Sequence, residues 1–397
     1  MLTKENQHLL ELLADILHNK TPKAVASEEW PAIRDELKKQ GVLALTAMNF
    51  RSFLADKESQ ANMYVQLNTS MHNFYKILET QTAVASALEE SGIPVAVLKG
   101  SAAAMSYPVP ELRLMGDIDI LVPKEKFEEA FQVLADKGYK CEDSLKDFFR
   151  HAGFKSNTGI EIELHQFFAS NDTNEKFRIL NNYLYEALEK IEHVEINGYM
   201  TPVLPAVANG IVLLSHLNHH LQEGFGLRHV IDWMCFVEKY IDDEFWHKEF
   251  AQLAEHVGLI TLAKETTAMC KKYLGLSKNI TWCGMPNNIS DKYIEYVLGK
   301  GNYFVKQEQR ETKTISVLQT FRNPLKGIIS AQRIGIQTWE LLSDYPWLKP
   351  FAWIYQIQRW IRHGLENKVG IASLRNAICK SRKEKSLLEE LEMIDKL

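Results

Sequence analysis

The sequence predicts an α+β protein: one small mixed sheet flanked by N-terminal helices and a C-terminal all-α region. Three observations predict it. Apolar residues recur at the 3.6-residue period before residue 92 and again after residue 205. Between those regions come short runs rich in Val and Ile, spaced as strands are. Gly and Pro mark the change, first at Ser91-Gly92-Ile93-Pro94. These signals divide the chain into an N-terminal helical region (1–92), an α+β core (93–204) and a C-terminal helical domain (205–397).

Each element has its own signal. Leu9, Leu10, Leu12, Leu13, Ile16 and Leu17 form one apolar stripe, and Ser27 with Trp30-Pro31 opens a second helix. A long helical pattern over 60–90 stops at Gly92. Val95 to Leu98 reads as a strand, Lys99-Gly100-Ser101 as a turn and Ala102 to Met105 as a short helix. Pro108 and Pro110 end that helix. Asp117 to Val122 is a strand and Lys124 to Lys137 an amphipathic helix. Residues 148–156 and 160–167 read as paired strands around Asn157-Thr158-Gly159. From Pro205 onward the pattern is helical, broken at Glu223–Gly226, Gly275, Trp282–Asn288 and Gly299–Asn302. The tail after Ser381 reads as a charged amphipathic helix.

Composition narrows the function classes. A chain of 397 residues is 46% apolar and 24% charged, as soluble globular proteins are, and long enough for two or three domains. The net charge of −5 gives no global case for nucleic acid. Cys141, Cys235, Cys270, Cys283 and Cys379 are scattered and contain no C-x-x-C, so a disulfide framework is not expected. The N-terminus lacks the features of a signal peptide and no run reaches the ~18 apolar residues of a spanning helix. The expectation is a cytoplasmic protein with no membrane partner.

The chemistry sits in Asp117-Ile118-Asp119-Ile120-Leu121-Val122. Strand side chains alternate, so Asp117 and Asp119 share one face. Adjacent carboxylates repel, and a divalent cation resolves the repulsion. The alternative is a solvated edge face. Upstream, Lys99-Gly100-Ser101 joins a strand to a helix, where backbone N–H groups and the Ser101 hydroxyl suit an anion. Downstream, Glu161, Glu163 and His165 share one face of another alternating strand. Either Glu163 or Glu161 could add a third carboxylate. Arg113 could neutralise phosphate or pair with an acid.

LKGSA, then R-x-x-G-D-I-D-I-L-V, then a strand ending in acidic-Leu-His, resembles the uncharacterised nucleotidyltransferase-like family of the DNA polymerase β superfamily, over residues 93–168. The resemblance implies a minimal nucleotidyltransferase core. It implies Mg²⁺-dependent transfer of a nucleoside monophosphate from an NTP to an acceptor, with pyrophosphate released and two ions feasible. Carried over, Gly100 and Ser101 hold the triphosphate. Lys99 and Arg113 join the nucleotide site, and Asp117, Asp119 and Glu163 are the catalytic, metal-binding carboxylates. Glu163 stands where members usually carry Asp. The acceptor is not legible; a small molecule or protein fits the acidic pI better than RNA, and the oligomeric state is open.

Further on, Ser215–His220 and Leu227–Trp233 resemble the helical part of the same family. Arg228 and Asp232, four apart on a helix, are expected to pair. His216, His219 and His220 share a helix face, where a zinc site is conceivable. Two other readings stay open: a non-catalytic nucleotide-binding or interaction protein, and a metal-dependent phosphohydrolase using these histidines with Asp232.

Overall fold

A computed structural model describes residues 2–141, 151–169, 174–223, 225–277 and 279–301, with parts of 328–366 and 386–392. The chain divides into two compact units, Met1–Tyr303 with Glu390–Leu397, and Phe304–Glu389.

The first unit begins at a capped helix. The Asn6 N–H donates to the Thr3 hydroxyl at 3.2 Å, and α1 (Lys4–Leu17) buries its leucine stripe. Pro31 lies in the first turn of α2 (Trp30–Lys39), where its missing N–H costs nothing. A single-turn α3 (Phe50–Phe53) follows. The Asp56 carboxylate caps the 34-residue α4 (Lys57–Glu90) by accepting from two backbone N–H groups.

Six strands form one sheet in the order β3-β4-β2-β1-β6-β5. They are β1 (Ala96–Leu98), β2 (Asp117–Leu121), β3 (His151–Lys155), β4 (Glu161–His165), β5 (Glu192–Ile196) and β6 (Tyr199–Val203). β1 runs antiparallel to β2 and parallel to β6, and β2 runs parallel to β4. The hairpins β3–β4 and β5–β6 flank this centre. The sheet is therefore mixed, as expected. The Gly159 hairpin links β3 and β4; residues 148–150 lie outside the described ones.

Three helices interleave: α5 (Gly100–Ala104), α6 (Phe127–Asp136) and α7 (Glu175–Leu188). The central core joins Phe74, Ile77, Val84 and Leu88 of α4, Phe127 and Leu134 of α6, and Ile118, Ile120, Ile162 and Leu164 of the sheet. Each isoleucine or leucine in this set of strand residues therefore faces the helices, which leaves the alternate acidic positions to the other face.

The remaining helices of this unit are α8 (Ala206–Glu223), α9 (Leu227–Tyr240), α10 (Asp243–Phe245), α11 (Ala251–His256), α12 (Ile260–Tyr273) and α13 (Asn288–Lys300). A π-helical turn, Trp246–Phe250, joins α10 to α11. Gly210 of α8 permits a close approach: a Cβ there would lie 2.5 Å from Phe236 and 2.7 Å from Phe250. Trp246 and Trp282 stack at 3.7 Å between ring centroids.

In the second unit, the described residues include helices Leu341–Asp344 and Ala352–Glu366 around a 3₁₀ turn, Pro346–Phe351. Trp339 stacks on Tyr355 at 4.9 Å. Of the expected tail helix, residues 386–390 are helical, while 381–385 and 393–397 lie outside the described residues. Among the described residues, no helix is long and apolar enough to cross a membrane. Cys379 lies outside them, and the other four cysteines are free thiols.

Candidate active site

The site forms where β1 ends and β2 and β4 run side by side. Lys99 leaves β1 in a left-handed conformation, φ 52°, and Gly100 follows at φ 37°. A side chain other than Gly rarely adopts that region, at roughly 1–3 kcal/mol of strain. The turn delivers the Lys99 ammonium to Asp119 Oδ1, to which it donates at 2.7 Å.

Register assembles the carboxylates. The parallel pair β2–β4 sets Asp117 opposite Glu161 and Asp119 opposite Glu163. Carboxylate oxygens of Asp117, Asp119 and Glu163 all lie within 4.8 Å of one another, a spacing one cation could bridge. Glu161 belongs to no such group among the described residues.

His165 knits the cluster together. Its Nε2 donates to Asp119 Oδ1 at 3.0 Å and faces Glu163 Oε2 at 3.3 Å. Across β3, His151 lies opposite His165, with its Nε2 3.9 Å from Glu163 Oε1. In the sequence His165 shows only a shared strand face; the parallel register that aims it at Asp119 has no signature within either strand alone.

The three carboxylates differ electrostatically. Burial alone would raise Asp119, but the Lys99 ammonium and the His165 hydrogen bond hold it below the usual carboxylate range. The His165 hydrogen bond lowers Glu163 against the opposing effect of burial. Asp117 stands at the exposed start of β2, yet loss of surrounding water and the charge of Asp119 push its carboxyl up. Burial alone would lower His165, but its bonds to Asp119 and Glu163 prevail and raise it. An acid whose charge is opposed by two neighbouring carboxylates fits a divalent cation, which would reverse that opposition.

Other expected residues take structural positions. Ser101 is fully buried, and its hydroxyl donates to Gln81 Oε1 at 2.6 Å; Gln81 in turn donates to Thr201 at 3.1 Å. Arg113 pairs with Asp232, Nε to Oδ1 at 2.8 Å and Nη2 to Oδ2 at 2.7 Å. The Tyr107 hydroxyl donates to the same Oδ1 at 2.6 Å. The expected Arg228–Asp232 pair is therefore corrected. Asp232 is engaged by Arg113 and Tyr107, and Arg228 donates to the Leu114 carbonyl at 3.2 Å. Tyr107 reads in the sequence only as part of a helix stop, and Gln81 does not stand out at all. Neither carries a local signal, because their partners are 125 and 20 residues away.

The histidine cluster is also rearranged. His216 and His220 meet His229, not His219, in a group of ligand atoms within 4.8 Å. Among the described residues Asp232 is not part of that group; it is engaged by Arg113 and Tyr107.

None of the curated proteins is a match. Among solved structures, the chain is similar to an antigenic nucleotidyltransferase-like protein from Paracoccidioides brasiliensis. That likeness is at 12% identity and TM-score 0.33, over 50% of this chain and 92% of that one, too slight to bear on function. A family model described as "Uncharacterised nucleotidyltransferase" matches residues 26–275, spanning the acidic triad, His165, Arg113 and Asp232, and the chain belongs to that family.

Proposed function

We propose that this chain transfers a nucleoside monophosphate from an NTP to an acceptor hydroxyl and releases pyrophosphate, with residues 93–204 as the catalytic core. The observation that carries the proposal is the convergence of Asp117, Asp119 and Glu163 within 4.8 Å on two adjacent parallel strands. Those three residues would hold Mg²⁺, which when bound neutralises phosphate charge and lowers the pKa of the acceptor hydroxyl.

The chain's own groups have separate tasks. Gly100, in its left-handed turn, lets backbone approach the triphosphate closely. Lys99 brings its ammonium to the triad and would exchange its Asp119 contact for phosphate oxygens. Ser101 contributes through its place in that turn, since its hydroxyl is held by Gln81. Arg113, paired with Asp232, fixes the segment leading into β2 and so positions Asp117. His165 orients Asp119 and Glu163, and Glu163 would complete the metal site or receive the acceptor's proton. Catalysis then rests on positioning and charge neutralisation at the α-phosphorus. The acceptor is proposed to be a small molecule or protein, bound where the core meets the helices α8 and α9.

One observation favours a second reading, a core that binds nucleotide without transfer. Lys99 already satisfies Asp119 Oδ1, an oxygen that a catalytic metal would take. Pyrophosphate release separates the two. With a mixed acceptor pool and MgNTP, the wild type should release pyrophosphate. Asp119→Asn should lose that release while keeping the far-UV spectrum of the wild type. An Asp119→Asn protein that still turns over would sink the mechanism, and nucleotide binding without release would support the second reading.

A further inference from the structure

His216 and His220 stand one turn apart on α8, and His229 lies in the first turn of α9. Their ring centroids pack at 4.4 Å (His216–His220), 4.7 Å (His220–His229) and 5.2 Å (His216–His229). One ring nitrogen from each lies within 4.8 Å of the other two. We propose that these three imidazoles form a site for a divalent transition-metal cation of the zinc class, separate from the acidic triad.

Three features support it. The first is spacing: two His at i and i+4 on one helix face, completed by a third from the next helix, is a geometry that converges three nitrogens on one point. The second is ligand orientation. The Arg228 guanidinium can only donate, and its Nη2 stands 3.4 Å from His229 Nε2, so Nε2 keeps its lone pair. His229 Nδ1 lies 3.3 Å from the Gly226 carbonyl and 3.4 Å from the Gly226 N–H, and with Nε2 accepting from Arg228 it is the carbonyl that Nδ1 engages as donor. An outer contact of this kind fixes the tautomer of metal-binding histidines. The third is an unsatisfied atom: His220 Nδ1 is buried with no hydrogen-bond partner. Such an atom carries a standing cost that a ligand bond removes.

The chemistry of the donor set selects the ion. The group contains no carboxylate, and an all-imidazole set favours zinc, cobalt or nickel over magnesium. Arg228 opposes a cation by its charge. It does so through its longer contact, and it retains the 3.2 Å bond to the Leu114 carbonyl when His229 Nε2 turns to a metal. Three protein ligands leave a fourth position open.

The test uses Co²⁺ alone as the probe, on the full chain, followed by Zn²⁺ competition. Wild type should bind Co²⁺ with the intense visible bands of a four-coordinate ion, and Zn²⁺ should erase them. His220→Ala and His216→Asn should each weaken binding by about tenfold or more. Asp119→Asn/Glu163→Gln, which dismantles the acidic triad, should leave the bands unchanged. X-ray absorption on the Zn²⁺-loaded wild type should count three imidazoles, a readout that needs no variant to fold. Absence of the visible bands, an oxygen-only zinc shell, or bands that depend on the acidic pair would each overturn the proposal.

Discussion

Lys99 joins two unfavourable circumstances in one residue. Its backbone is left-handed at φ 52°, and its ammonium stands in a site where it is only 14% exposed. Asp119, itself 2% exposed, offsets both by accepting from that ammonium at 2.7 Å. The strain can be measured separately from the charge. Lys99→Gly and Lys99→Met both remove the ammonium, but only Gly adopts the turn without penalty. Lys99→Gly should therefore be the more stable of the two by about 1 kcal/mol, read from urea midpoints. Equal stability would mean that the turn relaxes once the ion pair is gone. The D-x-D pair and the acidic strand were legible in the sequence because alternation is local. The choice between Glu161 and Glu163 was not, because it depends on the register of β2 against β4, which only the assembled sheet determines.

At the scale of elements, the segment entering β2 is fastened to α9 by a buried ion pair. Arg113 and Asp232 are 2% and 3% exposed at their side chains, and both guanidinium–carboxylate bonds are short. Burial opposes the charge of Arg113, but the Asp232 carboxylate more than compensates and raises it. Removing one partner strands the other, so Arg113→Met should lose about 3–5 kcal/mol in denaturant unfolding. Arg113→Met/Asp232→Leu should recover much of that loss, and failure to recover would show that the pair does more than compensate itself. A second element-scale contact is Gly210, where α8 passes close to Phe236 and Phe250. Gly210→Ala must push two buried rings aside and should cost about 1–3 kcal/mol in thermal unfolding. A variant as stable as wild type would mean that α8 can shift freely against α9.

Several elements escaped the sequence for physical reasons. The hairpin β5–β6 turns at Asn197-Gly198, both left-handed at φ 49° and 87°, the signature of a tight hairpin. Its strands alternate weakly and include Pro202, so the period signal is faint. Pro202 is tolerated opposite His193 in the pairing with β5, which β6 makes on one side while β1 meets it on the other.

On the scale of the whole molecule, the division of labour follows from patterning. Alternation in β2 and β4 sends isoleucines into the core shared with α4 and α6, and the same alternation sends acids to the opposite face. That much was legible, because hydrophobic period and the D-x-D spacing are local properties. What joins the core to the helices was not: Arg113–Asp232 spans 119 residues, and the meeting of His229 with His216 and His220 depends on how α8 and α9 pack. The contacts that join the core to these helices therefore come from distant parts of the chain.

The central claim is a magnesium-dependent nucleotide site built on Asp117 and Asp119. It is tested most directly by a thermal-shift panel with ATP, GTP, CTP and UTP. Each would be run with and without Mg²⁺, on wild type and on Asp117→Asn/Asp119→Asn. A ligand at 100 times its Kd adds about 2.7 kcal/mol, a readable shift. The expected result is stabilisation of the wild type by at least one NTP only when Mg²⁺ is present, and none in the double variant. Stabilisation that ignores Mg²⁺, or that survives loss of both aspartates, would contradict the claim.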